Sequence, residues 1–208
     1  MDETPAPGNR RSGRPLDEGL RGRVLETAID LYAEQGWSGF NFEAVARRAG
    51  VGRPALYRRW GDREALLKDT ILGTSPEVLD ADLGSLHDEL LRLLSDYLQV
   101  LRGSRGRAGL RLYLDAPAIP GVVAAVHAQL MGRRYLAVSA ALSRATERAG
   151  RPSALPGRLV FNLLLGGAVV GEIGEIGVAG EAAREPTDAE GLVAAVVALT
   201  GLAGHPAP

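Results

Sequence analysis

The densest concentration of chemically capable side chains lies between Asn41 and Trp60, NFEAVARRAGVGRPALYRRW, where five arginines stand against one glutamate. Such a patch suits a polyanionic partner if the arginines share one exposed face. The spacing arranges this. Phe42, Val45, Ala46 and Ala49 fall at i, i+3, i+4 and i+7, the apolar stripe of one short helix, with Asn41 placed to cap its first turn and Gly50 to end it. A second helix begins near Arg53 or Pro54, because proline is tolerated in a first turn where its missing N–H has no partner. Leu56 and Trp60, four apart, face inward, which leaves Arg53, Ala55, Tyr57, Arg58 and Arg59 on other sides. Trp60 reads as a core aromatic rather than a base-stacking one.

The chain around this stretch is helical throughout. Residues 1–15 lack apolar periodicity and are expected to form a disordered basic arm, in which Arg10, Arg11 and Arg14 are placed either to reach a minor groove or to remain a solvated tail. Helix 1 is expected from Asp17 to Gln35, with Val24, Ala28, Leu31 and Tyr32 as its buried stripe. Asp62 is placed to cap a fourth helix carrying Ala65, Leu66 and Leu67. This gives a head over residues 16–72 and a larger helical region over 73–208. In the latter, Ser85 caps a helix rich in leucine, Gly103 to Gly109 reads as a link before a short helix through Asp115, and a long helix runs from Gly121 to Ala149. The next segment, Leu155 to Val178, carries Gly166, Gly167, Gly171, Gly174 and Gly177, each costing up to about 1 kcal/mol relative to alanine. Gly167, Gly171 and Gly174 form a small-residue ridge at i, i+4 and i+7. With Leu192, Val196 and Leu199 of a last helix, Asp188 to Leu202, the ridge is the expected dimer interface. No period-2 strand pattern appears, so the fold class is all-α.

Composition narrows the chemistry. The absence of cysteine excludes thiolate catalysis, disulfides and sulfur-ligated zinc. His87, His127 and His205 are scattered without an HExxH pair, and neither GxSxG nor GxGxxG is present, so no metal, cofactor or catalytic constellation is expected. Net charge is −1, against a nonspecific nucleic-acid coat. The apolar run from Leu159 to Gly171 is too short to span a bilayer, and no signal peptide is visible, which leads to the expectation of a soluble, cytoplasmic protein. Glu172 and Glu175 suit either a cationic ligand or a pair at a dimer surface. Tyr97, Arg111, Tyr113, His127, Met131, Phe161 and Asn162 are the candidates for a small-molecule pocket.

The helix 1 ending Ala28, Leu31, Tyr32, Gly36 and Trp37, the turn Ala49-Gly50-Val51-Gly52-Arg53, and the run from Leu56 to Leu66 together resemble the tetracycline-repressor (TetR) family. The resemblance implies a helix-turn-helix whose second helix, Arg53 to Trp60, enters the major groove near its N-terminal end. Arg53 then takes the base-reading position, where a guanidinium can engage guanine O6 and N7 together. It places Pro54 and Ala55 near thymine methyls, and Tyr57, Arg59 and Arg63 on backbone phosphates, with Arg58, Asn41 and Arg48 as further backbone contacts. Two positions depart from the family pattern: Gly52 stands where a capping residue is usual, and Gly61 where proline is common. The function implied is a homodimeric repressor of a pseudo-palindromic operator, released by a small apolar effector, with helix 4 as the lever. A ligand-independent architectural DNA binder is the competing possibility, and a helical enzyme lacks any constellation to support it.

Overall fold

A computed structural model describes residues 18–78, 80–178 and 187–202. The expected arm, with Arg10, Arg11 and Arg14, lies outside the described residues. The elements in chain order are α1 (Glu18–Gly39), α2 (Phe42–Ala49), α3 (Arg53–Trp60), α4 (Arg63–Thr74), α5 (Leu86–Leu101) and α6 (Ser104–Leu114). They continue with α7 (Pro120–Val126), a π-helical stretch (His127–Met131), α8 (Gly132–Ala149), α9 (Gly157–Val178) and α10 (Ala189–Thr200). No strand occurs among the described residues, and no helix there is long and apolar enough to cross a membrane.

Helix starts follow the capping chemistry. The side-chain oxygens of Asn41, Asp62, Ser85 and Asp188 accept from the N–H of Ala44, Ala65, Asp88 and Gly191, each three residues on, at 2.8 to 3.1 Å. α3 is the exception: Gly52 offers no side-chain cap, and Pro54 in the first turn supplies the preset backbone instead. Gly61 ends α3 at φ +73°. That is a conformation which the proline of the family pattern, fixed near −65°, cannot adopt, so the departure sets a different turn rather than a looser one.

Two cores form. The first joins α1 to α4 around fully buried Val24, Ala28, Tyr32, Phe40, Val45, Leu56 and Leu66, and it continues into Ala108 and Leu112 of α6, Ile119, and Val122 and Val126 of α7. The second gathers α5, α8, α9 and α10 around Leu90, Leu94, Val138, Val160 and Val193. The stretch expected to be a link, Gly103 to Gly109, is helical from Ser104 onward. Burial of Ala108 and Leu112 against α1 outweighs the low helix propensity of its glycines. The long helix expected from Gly121 to Ala149 is interrupted by the π-helical stretch, where the hydrogen-bond ladder widens by one residue.

The glycine ridge packs inside the chain, which corrects the expected dimer interface. A Cβ on Gly167 would sit 2.7 Å from the Leu192 side chain of α10, and one on Gly171 would sit 2.7 Å from Thr187. Val196 is buried in the second core and Leu192 packs against it. Gly174 lies further along α9. Of the six positions only Leu199 faces outward among those whose side chains are described. The small residues lower the cost of close approach between α9 and α10, and sequence spacing alone cannot tell an internal partner from an external one.

One carboxylate is buried between two arginines. Glu89 of α5, 2% exposed, is held by Arg144 at 2.6 Å and Arg148 at 3.0 Å from α8, while Arg144 and Arg148 also bind Asp80 and Asp82 in the connection before α5. The side chain is thus satisfied on both oxygens. Glu89→Ala would leave two arginines without this acceptor and a hole between α5 and α8, so a loss of about 3 kcal/mol in unfolding free energy is expected from urea titration.

Candidate nucleic-acid interface and internal cavities

The solvent face of α3 is built from alternation imposed by its two inward anchors. Leu56 is fully buried and Trp60 nearly so, and the indole N–H of Trp60 donates to Asp69 of α4 at 2.8 Å. Asp69 also accepts from Arg21 of α1 at 2.7 Å, so one carboxylate ties α3 and α1 to α4. With those anchors fixed, Arg53, Pro54, Tyr57, Arg58 and Arg59 are exposed and Ala55 is half-buried. Tyr57 is exposed, and its ring meets Phe42 edge-on with centroids 4.5 Å apart. Arg59 lies over the Trp60 ring at 5.6 Å. Arg53 is drawn to Glu43 of α2 at 3.4 Å, with both side chains more than half exposed. Such a pair is worth little and yields readily to a stronger anion.

Three of the expected contacts have prior engagements. Arg48 forms a two-pronged pair with Glu34 of α1, which holds the Glu34 carboxyl below its ordinary range. Asn41 is the cap of α2, and its amide donates to the Gly39 carbonyl at 3.2 Å. Arg63 donates to the Phe40 carbonyl at 3.3 Å and stacks 3.8 Å above Trp37, so it braces the corner between α1 and α2. Glu43 and Asp69, which meet Arg53 and Trp60, were not distinguished by the sequence. Their partners lie ten and nine residues away on neighbouring helices, beyond what helical spacing can register.

The corner of α1 is unusual. Gly36 interrupts the helix at φ +64°, ψ −168°, a conformation open to glycine, and this turns Trp37 back toward the body. There Asp115, at the end of α6, accepts from both the Tyr32 hydroxyl at 2.8 Å and the Trp37 N–H at 2.9 Å. Burial and this hydrogen bond push the Tyr32 phenol well above its ordinary range, so it stays a donor. Arg111 donates to the Glu34 carbonyl at 3.1 Å. It belongs to this junction and not to a pocket, a correction to the sequence expectation.

Two cavities adjoin on the other side of α6. The inner one, about 290 Å³, has walls from α1, α4, α5, α6, α7, the π-helical stretch, α8 and α9, and includes Tyr97, Tyr113, His127, Met131 and Arg134. Ile71, Thr74 and Ser75, at the end of α4, close its side toward the head. The outer cavity, about 520 Å³, is lined by Tyr97, Phe161 and Arg134 together with charged residues such as Glu26, Asp30 and Asp96. Tyr97, Tyr113, His127, Met131 and Phe161 are thus cavity residues, whereas Asn162 is exposed on α9 and lines neither. The sequence did not single out Arg134, since one arginine in a helix rich in them carries no signal until its neighbours are known. Glu172 pairs with Arg102 of α5 at 2.9 Å and accepts from Thr187, and the side chain of Glu175 lies outside the described residues. No cluster suited to a metal ion occurs among the described residues.

Comparison with known proteins bears on this arrangement directly. The family model described as bacterial regulatory proteins, tetR family, matches residues 24–70. The transcriptional regulator AqdR of Rhodococcus erythropolis is 33% identical over 151 residues, 72% of each chain. The uncharacterized regulator YdeS of Bacillus subtilis is 29% identical over 97 residues, and the match spans about half of each chain, 46% of this one and 49% of YdeS. Among solved structures, MexZ of Pseudomonas aeruginosa, described as a key repressor responsible for antibiotic resistance, aligns over 91% of this chain and 98% of its own with a TM-score of 0.64 at 20% identity. The likeness thus runs from the head through the cavity-bearing body, and the chain belongs to the tetR family of bacterial regulatory proteins.

Proposed function

We propose that this chain is a ligand-responsive transcriptional regulator, acting as a repressor that binds a pseudo-palindromic operator as a homodimer and leaves it when a small, largely apolar effector fills the inner cavity. The observation that carries this reading is the outward face of α3, where Arg53, Tyr57, Arg58 and Arg59 project while Leu56 and Trp60 lock the helix to α4. In such a head Arg53 meets base edges and Tyr57, Arg58 and Arg59 meet phosphates, with half-sites about 34 Å apart or a simple multiple of it. Arg53 exchanges a weak pair with Glu43 for a guanine or phosphate, so the exchange costs little.

The face available for dimerisation flanks the glycine ridge on α9. Leu159, Leu163 and Val170 are exposed there, Gly166 opens between them, and Leu199 is exposed on α10. Contiguous exposed apolar residues on packed helices favour association over solvation. Effector action would run through the walls of the inner cavity. α4 supplies Ile71 and Thr74 to that cavity and holds Asp69 against the recognition helix, while α6 supplies Tyr113 and ends at Asp115 on the α1 corner. The leverage of a ligand is its difference in affinity for the two head spacings, so tight binding by itself does not release DNA.

Selection of bound sequences from random duplexes is expected to enrich a palindrome. Arg53→Ala is expected to relax one base position per half-site at a cost of about 1–3 kcal/mol, whereas Tyr57→Phe is expected to weaken all sequences alike. An enriched motif unchanged by Arg53→Ala would remove the assigned base reader. Val170→Glu, at a position 71% exposed in the single chain, is expected to leave the fold intact and shift the protein to monomer in sedimentation velocity, with operator affinity falling at least tenfold as bivalent binding is lost.

A further inference from the structure

The boundary between the two cavities is set by a charge whose fixed protein partner is an aromatic face. Arg134, in the first turn of α8, lines both cavities and is half-buried. Its guanidinium carbon stands 5.1 Å from the centre of the Tyr97 ring. Among the described residues it makes no ion pair or hydrogen bond, in contrast to Arg144, Arg148, Arg102 and Arg105, each of which holds a carboxylate. An aromatic face attracts the cation but accepts none of its N–H donors in the plane of the fork. Those donors therefore remain available at the junction.

The surroundings decide which ligand charge can use them. No aspartate or glutamate lines the inner cavity among the described residues; its walls are mainly aliphatic, and its polar groups are hydroxyls, His127 and the arginines 105 and 134. Arg105 is already occupied by Glu26 at 2.9 Å. The carboxylates Glu26, Asp30, Glu77 and Asp96 line the outer cavity, and Asp96 is itself paired with Arg92 at 3.0 Å. An amine entering the inner cavity would thus meet a cation and no counter-charge, while an anion would meet a donor fork with unused capacity. Burial pushes the Tyr97 phenol up to about 12 and raises that of Tyr113, so both hydroxyls stay protonated beside the arginine. Burial also lowers Arg134 itself, the sign of a charge that lacks a full counterpart.

We infer that the ligand of this site is an amphipathic carboxylic acid, with its carboxylate on Arg134 at the junction of the two cavities and its hydrocarbon body in the inner one. The inference rests on the reading of the inner cavity as the effector site and deepens it. A planar two-oxygen anion satisfies two guanidinium N–H groups at once, and the apolar walls gain from covering a hydrocarbon chain. The Tyr97 ring holds the guanidinium in place before the ligand arrives, which reduces the ordering cost of binding.

The test is calorimetric titration of the full-length protein with decanoate, decanol and decylamine at neutral pH. Decanoate is expected to bind roughly ten- to a hundredfold more tightly than decanol, the range for a charge-assisted hydrogen bond, and decylamine more weakly than either. Arg134→Gln is expected to bring decanoate down to the affinity of decanol and leave decanol unchanged, which also shows that the cavity is intact; Arg134→Lys is expected to restore part of the preference. Equal binding of acid and alcohol by the unaltered protein, a preference for the amine, or the same preference for acid in Arg134→Gln would overturn the inference. Failure of octanoate, decanoate and dodecanoate alike to bind would overturn it too. Operator affinity measured by fluorescence anisotropy separates this from the functional reading. Acid bound through Arg134 without loss of operator affinity keeps the site and removes its role in release. Release by a neutral molecule with no preference for the acid removes the site and keeps the responsive regulator.

Discussion

A carboxylate at the end of α6 gathers the hydrogen bonds that join the head to the body. Asp115 accepts from the Tyr32 hydroxyl and the Trp37 N–H, and both donors lie beside the break in α1 at Gly36. Each hydrogen bond is worth only about 1 kcal/mol net, but each donor left unpaired in this half-buried place would cost about 1–3 kcal/mol. The corner is consequently stiff. It carries Phe40 and Trp37, which stack with centroids 6.2 Å apart, and Arg63 closes over them from the start of α4. Because α6 also walls the inner cavity, a change in that wall bears directly on the hydrogen bonds at Asp115.

The head shows how a basic face is kept on a protein with a net charge of −1. Its acidic residues are not scattered counter-charges. Glu34 fixes Arg48, Asp69 fixes Arg21 and the Trp60 indole, and Glu43 touches Arg53 only loosely. Carboxylates that order the scaffold are well engaged, while the one facing the base-reading position is weakly held. The field outside α3 stays positive at short range and is screened within about 10 Å at 0.1 M salt, which favours contact over long-range coating.

Local rules carried most of the fold. Asn41, Asp62 and Ser85 cap where their side chains and spacing say they should, and Val24, Ala28, Leu31 and Tyr32 are all buried as the stripe of α1 requires. What escaped is consistently a matter of which surface meets which. The ridge of Gly167 and Gly171 signals close approach, yet only the path of the chain between α9 and α10 decides that the approaching helix is its own. Arg111 and Arg134 are alike as residues in amphipathic helices, but one turns to the Glu34 carbonyl and the other to a cavity. Tyr97, Tyr113, His127, Met131 and Phe161 line cavities, in keeping with the expectation that such sites mix apolar walls with a few placed polar groups. Asn162, expected with them, is exposed.

The π-helical stretch from His127 to Met131 has a further meaning. The helix that contains it begins in one core, with Val122 and Val126, and ends in the other, with Val138, Ala141, Leu142 and Ala145. An α-helix turns about 100° per residue, so the one residue that a π-turn adds rotates everything after it by about that amount relative to everything before. The stretch acts as a phase shifter: in an unbroken α-helix the two apolar stripes would point roughly 130° apart, and the added residue brings them to about the same side of the rod. Losing a single residue there would leave each stripe well formed and aim them at incompatible neighbours, so the length of this short segment is under tighter constraint than the identity of its side chains.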